Sequence, residues 1–470
     1  MPTFPPAPAT PLLSPADTGW DEARKAWNLA VDQHPAAIAL PESAAGVIAA
    51  VNFARRHDLR VTAQGTGHGA APLGPLNGTV LINTSRLRRV SIDPVARTAR
   101  AEAGAVWADV VSPAVGHGLT GLAGSSPGVG VTGYTLGGGM GWLGRTYGLS
   151  ANNVEAFEVV TADGQLRYAN PANEPDLFWA LRGGGGSFGV VTSLELRLFP
   201  ITEVYAGLLW WPIHRAGEVL HAWRELTHSG LPDEFTTAFR FMRFPALPDV
   251  PEPVRGRWFA VVDAIHLGTP AEADALLAPL RGLSPVTDTV QTISMPALGH
   301  LHMDPEHPVP SVGDGLMLAD LPAEAVSKIT VVAGAETGSL LQVVELRHAG
   351  GEMKRARPGN GALAALDAEY GLFAVGMAPT PEAASAVGYG VRAVTSAMAP
   401  WAAGQMYMNL ADTSREACGF WTPQAYERLR RIKAAVDPTD MIRANHPVPA
   451  ARPALAVTPD GDHAALQPAG

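Results

Sequence analysis

The sequence predicts an α+β fold with two parts, and three observations support this prediction. Segments with the spacing of amphipathic helices alternate with runs of β-branched and apolar residues that are typical of strands. Glycine-rich stretches interrupt these segments within the first 200 residues, whereas longer apolar strand patterns follow between residues 205 and 377. The chain has 470 residues, which is more than one ordinary core contains, so we expect an α+β domain followed by an antiparallel sheet covered by helices.

Composition and charge exclude several classes of protein. Charged residues make up 17% of the chain and hydrophobic residues 47%, which is typical of a folded globular protein. The net charge is −10 and no run of Lys or Arg exceeds two residues, so we expect no nucleic-acid partner. No stretch of eighteen apolar residues occurs and the N-terminus lacks a secretion-signal pattern, so we expect no membrane partner and a cytoplasmic location.

The single cysteine and the two chain ends give further expectations. Cys418 has no second cysteine with which to pair, which excludes an internal disulfide and any zinc or iron–sulfur site built from cysteines of one chain. Residues 1–15 and 450–470 are rich in proline and alanine, so we expect both tails to be disordered.

The first 200 residues are predicted to begin with a β-α-β unit and to continue with further strands and short helices. Ser43 is a good N-cap for the first helix, and Ala162-Asp-Gly164 is a hairpin turn signal. The predicted strands are 36–40, 59–63, 79–83, 90–93, 98–103, 153–161 and 188–198, and the predicted helices follow Ser43 and span 106–116 and 175–181.

A glycine-rich loop at residues 64–69 follows the second of these strands and surrounds His68. Glycines adopt backbone conformations in which successive N–H groups point at one anion, such as a pyrophosphate. The same sequence also fits an ordinary turn that carries a solvated imidazole. The loop is therefore a candidate cofactor site whose interpretation depends on the rest of the chain.

A second glycine-rich stretch, residues 121–141, contains two familiar strings that fail on physical grounds. Gly128-x-Gly130-x-x-Gly133 matches the dinucleotide fingerprint, but no predicted strand precedes it. Gly124-x-Ser126-x-Gly128 matches a hydrolase nucleophile elbow, but the next residue after the serine, Pro127, lacks the N–H group that the oxyanion hole requires. What remains is a glycine-lined surface that could wrap an extended cofactor.

Residues 201 to about 400 are predicted to form the antiparallel sheet and its helices. The predicted strands are 205–211, 235–243, 258–266, 340–348 and 370–377, and the predicted helices are 218–228, 271–280 and 381–397. On the fourth of these strands Gln342 and His348 share one face, while Glu345 and Arg347 share the other. The sequence does not indicate which face meets a ligand.

The segment His300-Leu-His302-Met-Asp304-Pro-Glu-His307 contains residue types that bind metals. Proline interrupts the spacing, so we expect a solvent-exposed loop at the rim of a cavity and predict no metal site.

Several motifs occur in a characteristic order. The N-terminal ones are Gln64-Gly-Thr-Gly-His68, Gly124-Ser-Ser-Pro-Gly-Val-Gly-x-x-Gly133, Gly137-Gly-Gly139, Tyr147-Gly-Leu-Ser-x-Asn-Asn-Val154, Ala162-Asp-Gly164 and Leu181-Arg-Gly-Gly-Gly-Gly-Ser-Phe-Gly-Val-Val-Thr192. The C-terminal ones are Gln405-Met-Tyr407-Met-Asn409, a helix at 424–436, Asp437-Pro438 and Ala444-Asn-His-Pro-Val448. Together they resemble the berberine-bridge-enzyme-like flavoproteins of the vanillyl-alcohol-oxidase superfamily, with loops closest to the bacterial 6-hydroxynicotine-oxidase-like branch.

The resemblance implies a PCMH-type FAD-binding domain at residues 1–200, a substrate domain at 201–400 whose sheet roofs the flavin, and a closing segment at 401–449 that returns to the first domain. It also implies FAD as the cofactor, covalently linked through His68. Many relatives add a second link through a cysteine where this chain has Ser126, so we expect a single covalent bond and a plain structural or surface role for Cys418. The predicted cofactor-binding residues are His68, Gln64, Gly65, Thr66, Gly67, Gly69, Gly124, Ser125, Ser126, Val129, Gly130, Gly133, Gly138, Asn152, Val190, Asn409 and Asn445.

Two tyrosines are the predicted catalytic residues. The resemblance places Tyr407, in its Tyr-x-Asn pattern, at the reactive face of the flavin, where it acts as a base or only positions the substrate. Tyr134 either shares that role or has only a structural role, in which its aromatic ring packs against neighbouring side chains. Relatives carry a second tyrosine where this chain has Met140, and a glutamate or glutamine near Phe373, so transfer of the berberine-bridge mechanism itself is weakened.

The predicted activity is that of an FAD-linked oxidase. The substrate is a small alcohol, an amine or a natural-product intermediate, and dioxygen is reduced to hydrogen peroxide. Val129 matches a position where oxygen-reactive relatives have valine. Gln342, Glu345 and Phe373 are the predicted substrate contacts, with solvated or salt-bridged positions as the alternative for the first two. The competing functions are a flavoprotein dehydrogenase, cyclase or isomerase without net oxygen consumption, and a flavin-fold protein that only binds.

Overall fold

The computed structural model describes residues 12–451 except Asp249 and Glu336. Most of both predicted disordered tails therefore lies outside the described residues. The inner ends of the tails correct the prediction, because Leu12–Leu13 forms a strand that pairs with Ile38 and Ala39. At the other end, the N–H of Ala451 donates to the carbonyl of Arg430 at 3.0 Å.

Strands and short helices alternate along the described chain, and nearly all predicted elements are present within one or two residues. The strands are β1 Leu12–Leu13, β2 Ala37–Ala39, β3 Arg60–Gln64, β4 Thr79–Asn83, β5 Val90–Asp93, β6 Thr98–Glu102, β7 Val154–Val160, β8 Leu166–Ala169, β9 Val190–Arg197, β10 Glu203–Pro212, β11 Phe235–Arg243, β12 Trp258–His266, β13 Thr287–Asp288, β14 Gln291–Ser294, β15 Ser311–Leu318, β16 Val343–His348 and β17 Tyr370–Met377. The helices are α1 Trp20–Ala23, α2 Ala44–Arg56, α3 Trp107–Val115, α4 Val131–Leu136, α5 Gly144–Tyr147, α6 Pro175–Leu181, α7 Ala216–His228, α8 Pro270–Arg281, α9 Met295–Leu298, α10 Ala323–Ala333, α11 Pro381–Met398 and α12 Pro423–Val436.

The first sheet contains the predicted β-α-β unit. Its strand order is β1-β2-β4-β3, and β2, β4 and β3 run parallel. The Ser43 hydroxyl accepts a hydrogen bond from the N–H of Gly46 at 3.3 Å and so caps α2 as predicted. Val47 and Val51 of this helix are fully buried in one core with Val61 and Val80 of the sheet. The packing fixes the end of β3, from which the glycine loop leaves.

The second sheet is antiparallel and has the order β5-β6-β9-β7-β8. Helix α3 packs beside it, and Trp107 and Phe157 are almost fully buried in the shared core. Between α3 and β7 lies the long glycine-rich stretch, which includes α4. The next strand, β10, belongs to a different sheet, which supports the proposed domain boundary near residue 200.

The third sheet has eight antiparallel strands in the order β13-β10-β12-β11-β16-β17-β15, with β14 also pairing with β10. Its helical cover consists of α7, α8, α10 and α11, of which α10 was not predicted. Val344 and Leu346 of β16 are buried beneath this cover. Because side chains alternate along a strand, Glu345 and Arg347 point to the opposite face, which is the face that forms the site described below.

The C-terminal segment after α12 returns to the first sheet. The N–H of Val61 in β3 donates to the carbonyl of Met441 at 2.9 Å, and the N–H of Arg443 donates to the carbonyl of Val61 at 2.7 Å. Residues 442–445 therefore lie beside the glycine loop that follows β3. Among the described residues, no helix is long and apolar enough to cross a membrane.

Candidate active site

A cavity of about 480 Å³ lies between the glycine-rich loops and the exposed face of the third sheet. Strands β16 and β17 form its roof, and residues 407–412 and 442–445 close its sides. The predicted site residues that line it are Gln64, Gly65, Thr66, Gly67, His68, Gly69, Gly124, Ser125, Val129, Gly130, Gly133, Tyr134, Val190, Glu345, Phe373, Tyr407, Asn409 and Asn445. Most of the predicted site residues are therefore brought together.

Four predicted site residues do not line this cavity. Asn152 borders a separate cleft, where its side chain accepts from the N–H of Gly361 at 2.9 Å and supports a loop. Gln342 accepts a hydrogen bond from the N–H of Met377, on the side of β16 away from Glu345. Ser126 is buried beside the cavity and Gly138 lies against the ring of Tyr407. The predicted ligand contacts of Asn152 and Gln342 are therefore corrected, whereas those of Ser126 and Gly138 stay predictions.

The loop after β3 has the geometry of an anion cradle. Within the described chain, the backbone N–H groups of residues 66–69 donate no hydrogen bond. Gly67 has φ of 85°, and a Cβ atom there would lie 2.7 Å from the Cα of Ala26, so this position requires glycine. Free N–H groups on a tight turn suit the oxygens of a phosphate.

The walls of the cavity fit a long, polar cofactor such as FAD. The Gln64 side-chain oxygen and the Thr132 hydroxyl are buried on this wall without a hydrogen-bond partner among the described residues. Buried polar atoms of this kind require a partner, which hydroxyls or phosphates of a bound cofactor provide. A Cβ at Gly133 would meet no atom within 4 Å, so the glycine leaves open space beside the cavity.

His68 is held in a defined orientation on the cavity wall. Its Nδ1 lies 2.8 Å from the Thr66 hydroxyl oxygen, and its ring stacks on Trp27 with centroids 4.4 Å apart and planes inclined by 17°. Burial lowers the pKa of His68 to about 4, although the negative charge of Asp304 opposes this shift. The imidazole is therefore neutral at neutral pH. Trp27 was missed from the sequence, where an isolated tryptophan gives no signal.

Tyr407 is placed so that its hydroxyl oxygen accepts hydrogen bonds. The N–H of Met140 donates to it at 2.8 Å, and Nδ2 of Asn409 donates at 3.1 Å. Burial raises the pKa of Tyr407 to about 12, while the hydrogen bonds from Met140 and Asn409 lower it. The Tyr-x-Asn pattern thus places a donor beside a phenol oxygen, and donors of this kind stabilise a phenolate.

Tyr134 lies in the same cavity but is more tightly packed. Its ring meets Trp107 edge-on with centroids 5.5 Å apart, and a Cβ at Gly124 would approach it to 3.1 Å. Burial and the nearby Tyr407 raise its pKa well above the ordinary value. The hydroxyl is buried and has no partner among the described residues. These contacts favour ring packing, and a catalytic role for Tyr134 stays a prediction.

Four charged residues form what we call the ionic wall: His302, Asp304, Glu345 and Arg347. The Nδ1 of His302 lies 2.7 Å from Oδ1 of Asp304, and its Nε2 lies 3.4 Å from Oε2 of Glu345. Nε of Arg347 donates to Oε1 of Glu345 at 2.7 Å. All four line the cavity, so the expectation of a solvent-exposed loop is wrong for His302, which is 6% exposed. The Asp304 side chain is 32% exposed, which agrees with the expected position at the rim of a cavity.

Buried groups on both sides of the cavity hold the ionic wall in place. Ser125 of the second glycine-rich stretch donates to Oδ2 of Asp304 at 2.9 Å. Arg240, which is fully buried and paired with Asp263, donates to the carbonyl of His302 at 2.7 Å. The wall therefore joins the glycine loops to the third sheet. Sequence reasoning missed it because the sheet brings together residues that lie about 40 positions apart.

The charges of the wall support one another. Burial alone would lower the pKa of His302, but Asp304 and Glu345 raise it to about 9. Burial would likewise raise the pKa of Asp304, but His302 lowers it to about 2. The pKa of Glu345 is also lowered, because Arg347 and His302 outweigh its burial. At neutral pH the wall contains two cations and two carboxylates.

The pH dependence of stability tests this arrangement. The pKa of His302 is about 9 in the folded protein and near 6.5 when unfolded, so its stabilising effect is complete below pH 6.5 and is lost as the pH rises through 9. Urea unfolding of the parent and of His302→Gln should therefore differ by on the order of 3 kcal/mol at low pH and by much less above pH 9. His117→Gln, at an exposed site, is the control. A difference that stays constant or grows with pH would contradict the assignment.

Two further observations concern charged residues near the site. His300 and His307 are exposed, and no group of three or more His, Cys, Asp or Glu suited to a metal ion occurs among residues 12–451 apart from the two left undescribed. Asp412, which the sequence analysis did not select, lines the cavity. Burial and the neighbouring Asp314 raise the pKa of Asp412 to about 7.

Known protein families match two stretches of the chain that contribute residues to the site. An FAD-binding-domain family model matches residues 35–170, and a model described as "Berberine and berberine like" matches residues 406–449. The chain is 28% identical to (R)-6-hydroxynicotine oxidase of Paenarthrobacter nicotinovorans, over 93% of this chain and 97% of that protein. It is 26% identical to xylooligosaccharide oxidase of Thermothelomyces thermophilus, over 92% and 90% of the two chains.

Solved structures agree on the fold. Wild-type BBE-like 1 of Physcomitrella patens superimposes with a TM-score of 0.82 at 20% identity, covering 94% of this chain and 97% of that one. 6-Hydroxy-D-nicotine oxidase of Arthrobacter nicotinovorans has a TM-score of 0.79 at 24% identity, covering 92% and 96%. The fold is thus the α+β, PCMH-type architecture that the sequence predicted. The protein is thus an FAD-linked oxidoreductase with an FAD-binding domain and a berberine-like C-terminal segment, and it is similar to the berberine-bridge-enzyme-like flavoproteins along nearly its whole length.

Proposed function

We propose that the protein is an oxidase that removes two electrons and two protons from an alcohol, an amine or a natural-product intermediate. The observation that carries this proposal is the position of Tyr407, whose hydroxyl oxygen accepts two hydrogen bonds inside the cavity that also contains His68. When bound, FAD supplies the two-electron acceptor, and dioxygen takes the electrons from it to give hydrogen peroxide. The protein itself has to bind the substrate, exclude water and move the second proton.

Tyr407 is the group proposed to take the substrate O–H or N–H proton. Its oxygen is buried, which raises its pKa to about 12, and the N–H groups of Met140 and Asn409 that point at it offset part of this cost of a negative charge. The aromatic ring of Phe373 and the side chain of Val343 belong to the roof and keep this part of the cavity apolar. The same roof carries Glu345, which we propose as a substrate-side contact within the ionic wall.

His68 is proposed as the single covalent attachment point for FAD. The imidazole is neutral because burial lowers its pKa to about 4, which leaves a nitrogen lone pair for bond formation. His68 would hold FAD through a C–N bond to the carbon of the flavin 8α-methyl group, and the bond would keep the cofactor on the chain. Ser126 has no thiol for a second link, and the only cysteine, Cys418, is exposed elsewhere.

Oxygen as the electron acceptor is supported by Val129, which lines the cavity beside the glycine loops. Two similar proteins are named oxidases, one of 6-hydroxynicotine and one of xylooligosaccharides, so an amine and an alcohol are both represented among the relatives. The alternatives are a dehydrogenase that uses another acceptor and a cyclase or isomerase without net oxidation. We retain a role in natural-product biosynthesis and a cytoplasmic location as parts of the proposal.

Oxygen consumption tests this function. The flavin-loaded protein is supplied with secondary amines, oligosaccharides and aromatic alcohols in an oxygen electrode. A substrate should consume one dioxygen for each product molecule, and added catalase should return half of the oxygen. Product formation that requires a dye in place of oxygen would indicate a dehydrogenase. An isomeric product formed without any acceptor would indicate a cyclase or isomerase.

A further inference from the structure

In the ionic wall, the hydrogen-bond donors that have no partner among the described residues outnumber the acceptors that have none. Both oxygens of Asp304 are used, one by His302 at 2.7 Å and the other by Ser125 at 2.9 Å. One oxygen of Glu345 accepts from Nε of Arg347 at 2.7 Å, and the other lies 3.4 Å from Nε2 of His302. Three of the four carboxylate oxygens of the wall are therefore hydrogen-bonded within the protein, and the fourth has only this longer ionic contact.

The donors of the wall lack such compensation. The Arg347 side chain is 88% buried, yet its two terminal nitrogens make no hydrogen bond to any described residue, and Nε is its only bonded nitrogen. Nε2 of His302, whose residue is 94% buried, has no partner among the described residues that meets hydrogen-bond geometry. Both side chains line the cavity. In the described part of the chain, Nε2 of His302 is a buried donor without a partner, and the terminal nitrogens of Arg347 are unbonded donors on a residue that lines the cavity. Both groups can therefore donate to an acceptor from outside the described chain.

The orientation of Arg347 is fixed rather than adaptable. Its guanidinium lies over the ring of Trp142, 4.7 Å from the centroid, and the Trp142 ring in turn lies 5.8 Å from that of His302. Trp142 is 2% exposed and so forms a rigid support. A planar guanidinium held in this way presents a fork that matches the two oxygens of a carboxylate, or the single oxygen of a phenolate.

We propose that the substrate carries an anionic oxygen, as a carboxylate or an acidic phenol, on an apolar skeleton, and that the terminal nitrogens of Arg347 bind it with His302 beside them. The skeleton lies against Val343 and Phe373 of the roof. This inference rests on the proposed function, because it names the class of molecule that the oxidase accepts. A cationic amine would meet mostly N–H donors at this wall, where Oε2 of Glu345 is the one carboxylate oxygen without a hydrogen bond to a described residue. Outside the wall, Asp412 is the one other carboxyl group among the described residues that line the cavity.

Three probes of the same shape separate these possibilities: benzoate, benzyl alcohol and benzylamine. Binding to the flavin-loaded protein is measured by isothermal titration calorimetry. The parent should bind benzoate about 10- to 100-fold more tightly than the other two, as expected for a charge-assisted pair of hydrogen bonds. Arg347→Gln should remove most of this preference and change the affinity for benzyl alcohol by less than about 3-fold.

Controls keep the experiment decisive. Arg86→Gln removes an arginine of an exposed ion pair and should leave all three affinities unchanged. If Arg347→Gln does not fold, the double variant Glu345→Gln/Arg347→Gln is used in its place, because it removes both charges of the ion pair. Tightest binding of benzylamine, equal binding of all probes, no measurable binding of benzoate, or a benzoate preference that survives the loss of Arg347 would each overturn the inference.

The binding experiment and the oxygen-consumption experiment distinguish a failure of this inference from a failure of the proposed function. If the protein consumes oxygen with an amine but prefers benzylamine, the proposed oxidase function stands and the inference of an anionic substrate is wrong. If the protein prefers benzoate through Arg347 but never consumes oxygen with any substrate, the anion-binding site stands and the proposed oxidase function is wrong.

Discussion

Replacing Tyr407 by phenylalanine is expected to lower kcat by about 10²- to 10⁴-fold and to leave the FAD content unchanged. The hydroxyl removed is the one that accepts hydrogen bonds from Met140 at 2.8 Å and Asn409 at 3.1 Å. The ring, which fills the cavity wall, is retained, so the fold and the cofactor site should be preserved. Steady-state kinetics with any accepted substrate, together with the ratio of flavin to protein absorbance, measures both effects.

The pH profile separates a base from a merely positioning residue. Asn409 is one of the donors that lower the pKa of Tyr407, so Asn409→Ala should raise that pKa. The limb of the profile that rises with the ionisation of Tyr407 should then move to higher pH. Tyr389→Phe, at a tyrosine that is 72% exposed, is the matched control and should match the parent. An Asn409→Ala profile superimposable on that of the parent would argue against Tyr407 as the base.

Replacing Lys433 by methionine should cost about 3–5 kcal/mol of unfolding free energy. Its ammonium group is buried and donates to the carbonyls of Ser187 at 3.0 Å and Ile442 at 3.1 Å. It also contacts the Asp437 carboxylate at 2.5 Å, and both side chains are at most 1% exposed. Methionine leaves that carboxylate buried without its cation, and it releases the turn that carries the C-terminal segment back to β3. Urea unfolding followed by circular dichroism measures the loss.

An exposed ion pair on the same helix provides the control for Lys433. Arg430 pairs with Glu427 at 2.9 Å, and these side chains are 27% and 58% exposed. Arg430→Met should therefore cost less than about 1 kcal/mol. Adding Asp437→Asn to Lys433→Met should recover part of the loss, because the uncompensated charge is removed. Equal losses for Lys433→Met and Arg430→Met would show that the buried pair does not anchor the segment.

Local patterns predicted much of the fold because each one is set by near neighbours. Ser43 caps α2 through a hydrogen bond to a residue three positions away, and the alternation along β16 follows from strand geometry alone. Strand β15 and helix α10 were missed. Gly313 and Gly315 weaken the strand pattern of β15. A Cβ at Gly313 would lie 2.8 Å from the Phe373 ring and one at Gly315 would lie 2.3 Å from the Leu372 carbonyl, with residues 410–412 also within 3.2 Å. The requirement for glycine comes from tertiary packing, which the local sequence does not reveal.

The residues of the candidate site also fall into those that local sequence patterns predicted and those that only tertiary packing brings together. The glycine loop around His68 and the pair Tyr407 and Asn409 were accessible because their signals lie within a few residues. The ionic wall was not, since Arg347 and His302 come together only when β16 packs beside the segment that Arg240 holds in place. The choice between the two faces of β16 also depended on packing. Gln342 was selected with Glu345 because the sequence could not say which face the helices cover.

Acid denaturation decides whether FAD occupies the cavity and is covalently bound to the chain through His68. The purified parent, His68→Ala and His34→Ala, an exposed control, are precipitated in acid, and flavin absorbance is measured in the pellet and the supernatant. If His68 carries the covalent link, flavin should be found in the pellets of the parent and of His34→Ala, and only in the supernatant for His68→Ala. A parent without flavin, or flavin that stays in the pellet of His68→Ala, would contradict this assignment.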